Sequence, residues 1–305
     1  MEPQRHNRES ELKGFIFRHI KRLERLHSKF GKCLYPIEPA CTAKPCKAHS
    51  IQNRVVLDSL AEDRHVVVPK YDVSDVHSLR IKFQRVGQNV ATIFSGLCAR
   101  HDTELFAPIE KKSLDLQDRE QMFLLAYRAV LRETHSVNAM VQGVEKAHKE
   151  GVRLGLLGME DVAAGEELNA QLTQQLIAEL EYIAEQKRLF DQAYLSADYE
   201  AVEHEIAWSP LSPPGLAVNS FFSIGYNTLR GKEMPIALNV LPFNGKHAIV
   251  ISFRRSSKPL AQALILSLKK TANEDRFRAI SRLVLKDCEN FVLRPSLYNS
   301  FGRLV

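Results

Sequence analysis

FSGLCARHDTELF, from Phe94 to Phe106, is the most chemically loaded stretch of this sequence. It sets Cys98 and His101 three residues apart, with Asp102 next in line. In a helix that begins near Cys98, positions i and i+3 share one face, so a thiol and an imidazole point the same way. A structural zinc site is built from four N or S ligands in two closely spaced pairs, and this is one such pair. Upstream lie Cys33, Cys41, Cys46 and His49. The second pair is Cys33 with Cys41, Cys41 with Cys46, or Cys46 with His49 as a second CxxH, and the spacing does not choose among them.

The remaining cysteine, Cys288, stands alone, which makes five in all. An odd, clustered set argues against a disulfide framework. Residues 1–32 are basic throughout and lack the uncharged apolar core of a secretory signal. A reducing cytoplasm is therefore the expected setting, where clustered Cys beside His reads as metal ligation.

Around this nucleus, residues 33–110 read as a compact module. Pro- and Cys-bearing turns lead into two β-rich stretches, His65 to Pro69 and Leu79 to Val86. In the second, Leu, Ile and Phe alternate with Arg and Lys. Before the module, Leu12, Phe15, Ile16, His19, Ile20, Leu23 and Leu26 recur at helical spacing, with Arg18, Lys21, Arg22 and Arg25 on the other side, so residues 1–32 are expected to hold a basic amphipathic helix. After the module, residues 111–205 are expected to form a long antiparallel helical hairpin. Its helices run Gln121 to Lys149 and Glu166 to Tyr194, joined through Gly151, Gly155, Gly158 and Gly165.

The last part, 206–305, opens on a Pro-rich segment (Pro210, Pro213, Pro214). Leu216 to Tyr226 is an expected strand. Two further strands, Ile236 to Phe243 and Lys246 to Phe253, flank Asn244-Gly245, a strong hairpin signal. Helices follow at Pro259 to Lys270 and Asn273 to Lys286, giving a small antiparallel sheet covered by helices. The fold class is thus α+β.

The net charge of +6 conceals a strong asymmetry. Residues 1–32 carry nine Lys/Arg against four Asp/Glu, 33–101 nine against six, 102–205 ten against twenty-one, and 206–305 fourteen against five. Basic segments of this kind attract nucleic acid, an anionic surface or the chain's own acidic segment. No apolar run is long enough to span a bilayer, so no membrane partner is expected. The glycines after residue 150 follow no strand and do not make a dinucleotide fingerprint, and no GxSxG elbow exists.

A Cys-bearing turn, then KAHSI (Lys47 to Ile51), a strand-rich stretch and FSGLCARHDTELF together resemble the HNH family of ββα-metal nucleases, which carry a treble-clef zinc site. The same pair of motifs is similar to uncharacterised bacterial proteins with AHSI and FxGxCxxHD. The resemblance covers about residues 33–110. It implies that Cys33, Cys41, Cys98 and His101 bind structural Zn2+, with Cys46 an alternative ligand, and that His49 is a general base. Asp102 would hold Mg2+ or Mn2+ for phosphodiester hydrolysis of nucleic acid. Two family positions differ: Ala48 stands where a first histidine is usual, and Ser95 where an asparagine is. A role in prokaryotic defence is implied by the resemblance alone. The rival expectation is a non-catalytic scaffold with structural zinc, whose helical hairpin mediates homo-oligomer or protein-partner assembly.

Overall fold

The computed structural model describes residues 31–37, 39–72, 80–153, 159–209, 214–225 and 233–301. The amphipathic helix expected within residues 1–32 lies outside the described residues, as does the connection at 154–158. An extended stretch carrying Cys33 and Cys41 reaches β1 (Ala48–His49). Helical turns at Asn53–Leu57 and Asp58–Leu60 then lead to the antiparallel pair β2 (His65–Asp72) and β3 (Arg80–Gly87). The chain returns through β4 (Ile93–Phe94), which pairs with β1, into α1 (Ala99–Leu105). The hairpin follows as α2 (Arg119–Arg153) and α3 (Met159–Leu195). The strands β5 (Val202–Ser209), β6 (Leu216–Gly225), β7 (Glu233–Phe243) and β8 (Lys246–Arg254) precede α4 (Lys258–Lys270) and α5 (Asn273–Asp287). A three-residue strand, β9 (Phe291–Leu293), and α6 (Pro295–Phe301) close the described chain.

The α+β class stands, but the sheet is not small. Seven strands run in the order β3-β2-β9-β6-β7-β8-β5, each antiparallel to its neighbours. β9 is the join: Leu293 pairs with Val67 on β2 and with Leu216 on β6. Strand pairing thus crosses from the 33–110 segment into the 206–305 segment. The boundary expected at 205/206 falls inside β5, the edge strand whose Glu203 and Glu205 disguise its alternation.

Both faces of the sheet are covered, which makes three layers. On β8, Ile249, Ile251 and Phe253 pack toward Ala261, Ile265, Leu268, Ile280 and Val284 of α4 and α5. Ala248 and Val250 take the other face, with Leu57, Leu60, Leu116 and Met122. α2 is buried on this second side through Phe123, Leu124, Tyr127, Val130 and Leu131, against Phe190 of α3 and Phe221 of β6. No helix among the described residues is long and apolar enough to cross a membrane.

Candidate metal centre

The pairing of β1 with β4 folds the chain back so that Cys98, at the start of α1, meets the extended stretch from Cys33 to Cys46. Two backbone bonds hold the two strands of chain together: Leu34 N–H to the Gly96 carbonyl and Cys46 N–H to the Leu97 carbonyl, both 2.8 Å. Gly96 is needed here, because a Cβ at that position would sit 2.6 Å from Cε2 of Phe94. Phe94 is itself buried.

The result gathers Cys33, Cys41, Cys98 and His101, whose ligand atoms all lie within 4.8 Å of one another. The Cys33 Sγ is 3.4 Å from His101 Nδ1, and Cys41 Sγ is 4.0 Å from Cys98 Sγ. Ligands around a tetrahedral zinc sit about 3.5–3.8 Å apart, so the donor set and its spacing fit such an ion. Cys33, Cys98 and His101 are buried, and Cys41 is half-buried.

The electrostatics favour thiolate at one corner. The Cys98 N–H donates to Cys33 Sγ at 3.3 Å. Burial pushes the Cys33 thiol up to about 11. At Cys98 burial acts in the same direction, but it is outweighed by the backbone N–H groups of His101 and Arg100 and by the Cys33 and Cys41 thiols, so that thiol lies below its ordinary value. Its place at a helix N-terminus suits a negative sulfur. Burial and the Arg100 charge lower His101, keeping its ring neutral as a metal ligand must be. Tyr35 stacks on that ring at 3.9 Å and 12°, and meets Tyr194 of α3 edge-on.

His101 Nε2 lies 2.8 Å from the Arg100 guanidinium, which can only donate, so in this arrangement Nδ1 bears the proton. If Nδ1 were to hold a metal, its proton would be lost and Nε2 would carry the ring proton, so Arg100 would have to turn aside. The Arg100 side chain is exposed, and its other contact is a 3.7 Å ion pair with Glu104, so it is able to swing.

Of the other expected site residues, Cys46 lies outside the four. It is half-buried, and its thiol is raised by burial and by the Asp102 carboxylate. His49 is half-buried, with Nε2 3.3 Å from the Gln88 carbonyl. Asp102 is also half-buried. Burial raises its carboxyl, the Arg128 guanidinium opposes, Glu110 adds to the rise, and the His49 ring opposes.

Arg128 had no signal in the local sequence, because it arrives from α2. It is buried, pairs with Glu110 at 2.7 Å and stacks over Phe106 at 4.0 Å. Tyr35 was also missed; its one sequence cue is its position two residues after Cys33. Among the histidines outside the module, His135 and His247 are fully buried. Cys288 is buried in the sheet core, with burial pushing its thiol up to about 12. No family model, curated protein or solved structure matches this chain.

Proposed function

We propose that the chain binds structural zinc at Cys33, Cys41, Cys98 and His101, and engages nucleic acid through the surrounding module as a treble-clef, HNH-like unit. Metal-dependent phosphodiester hydrolysis is assigned to His49 and Asp102. The observation that carries this reading is the join between the cluster and His49: β1 bears the histidine, and its partner β4 runs four residues on into Cys98. Two ligands from an extended stretch, a two-stranded ribbon, and two ligands from the first turn of a helix support the treble-clef reading. Four protein ligands saturate zinc, so its role is to hold the module rather than to react.

Chemistry then falls to His49. If Nε2–H donates to the Gln88 carbonyl, Nδ1 carries the lone pair that takes a proton from an attacking water. Asp102 would hold a divalent cation, Mg2+ or Mn2+, which would supply charge neutralisation at the leaving oxygen. Lys44, Lys47 and Arg54 are exposed along the same stretch and are suited to phosphate contacts. A place in prokaryotic defence rests on the resemblance alone.

A second reading, a non-catalytic zinc scaffold, is favoured by Arg128. Its fixed guanidinium already bears on Asp102 and competes with a divalent ion there.

One titration series separates them. A labelled DNA duplex is bound at rising salt and then incubated with Mg2+ or Mn2+. The leading reading expects affinity to fall steeply with salt, as phosphate contacts release counterions. It also expects cleavage that disappears in His49→Ala while bound zinc is retained. Salt-dependent binding with no cleavage by wild type selects the non-catalytic reading. No salt-dependent binding overturns nucleic acid as the partner.

A further inference from the structure

A cavity of about 490 Å3 opens between the helical hairpin and the sheet. Its floor is apolar: Val137 and Met140 of α2, Ile183 of α3, Phe221 and Phe222 of β6. Its rim is acidic: Glu133, Glu179, Asp287 and Glu289 surround a single cation, Arg132. Arg132 is 3.1 Å from Glu133 and 3.9 Å from Glu289. Burial raises the Glu133 carboxyl, Arg132 opposes, and Glu289 and Glu179 add to the rise; the lining holds four carboxyl groups to one guanidinium. A second cavity, of about 410 Å3, shares Arg132, Ser136 and Glu289 and extends the trough toward β4.

An apolar floor between carboxylates calls for a partner with an apolar face flanked by cations. Residues 11–29 have that composition: Leu12, Phe15, Ile16, Ile20, Leu23 and Leu26 recur at helical spacing, and of the cations on the other side Arg22 and then Arg18 come nearest the edge of that stripe, beside Phe15. The reach is also sufficient. Tyr35 is placed against Tyr194, and twelve residues of helix separate Tyr194 from Tyr182 at the cavity, about 18 Å. A helix of residues 11–29 would be about 28 Å long.

We propose that the trough between α2, α3 and β6 is the docking site of the chain's own basic amphipathic segment, residues 11–29. The apolar face of the segment lies on Met140, Ile183 and Phe221, and its arginines meet Glu179 and Glu289. The basic N-terminal charge is then spent within the molecule rather than on an external anion.

The test uses the full chain with the photo-cross-linker p-benzoylphenylalanine in place of Ile16. The expected product is an intramolecular cross-link to peptides containing Met140 or Tyr182–Ile183. Charge reversal at the rim, Glu179→Lys with Glu289→Lys, should cut its yield about fivefold, the effect of losing roughly 1 kcal/mol of ion pairing. Both positions are exposed, so the fold should persist. Adding Arg18→Glu and Arg22→Glu to the reversed rim should restore the yield. A cross-link elsewhere, a cross-linked dimer, or a yield indifferent to the rim charges would overturn the proposal.

Discussion

His247 shows how one buried side chain writes a pH dependence into the fold. Its Nε2 accepts the N–H groups of Gly215 and Leu216, each at 3.1 Å, and its ring stacks on Phe277. Burial, with the nearby Arg294 charge, depresses its pKa to about 4 from 6.5, and the two backbone donors hold the neutral acceptor in place. The folded chain therefore resists a proton that the unfolded chain takes. Stability is full above pH 6.5 and is lost as pH falls toward 4, by on the order of 3 kcal/mol for this residue. His204, lowered to about 3 by burial, adds to the loss in the same window. His247→Gln keeps an acceptor but cannot titrate. Urea unfolding at pH 7 and pH 4.5 should show a smaller acid-induced loss in the variant than in wild type. Equal losses would mean that this ring is protonated in the folded state.

Elements built from local signals were legible in advance. The helical periodicity located α2 to within four residues and the end of α3 to within one, although α3 begins at Met159, seven residues before the expected Glu166, and Asn244-Gly245 located the β7–β8 turn. Those two residues take φ of 49° and 76°, the left-handed pair that a two-residue hairpin needs. At Gly245 nothing lies within 4 Å of an added Cβ, so Gly245→Ala tests backbone conformation alone. It should lower stability by about 1 kcal/mol. Gly87→Ala, equally open and without a positive φ, should change little. Denaturant midpoints of the two variants check this, and an equal response would contradict the conformational account. The elements that escaped were those defined by distant partners. Three residues, Phe291–Leu293, carry too little pattern to announce a central strand. Within the site, the ligand types and the CxxH spacing were readable. The choice of Cys33 and Cys41 over Cys46 was not, because it depends on where β1 and β4 cross. The contributions of Tyr35 and Arg128 come from contacts across the fold, and Arg128 leaves no local trace.

At the scale of the whole molecule, the cluster and the large sheet are mechanically linked. Ser50, one residue beyond β1, accepts a bond from the Asn290 side chain at 2.8 Å, and Asn290 immediately precedes β9. Asn290 also donates to the Asn219 carbonyl on β6 at 2.6 Å, so the ribbon beside the cluster is tied to the centre of the sheet. A metal that fixes the ribbon would therefore stabilise more than its own loop, since binding energy to the folded state adds to folding energy. The direct measurement is elemental analysis of the purified full chain beside Cys98→Ala, under reducing conditions. The account predicts about one zinc per chain in wild type and its loss in the variant. A folded wild-type chain that binds no zinc, or a Cys98→Ala variant that keeps it, would contradict the assignment of these four residues as a metal centre.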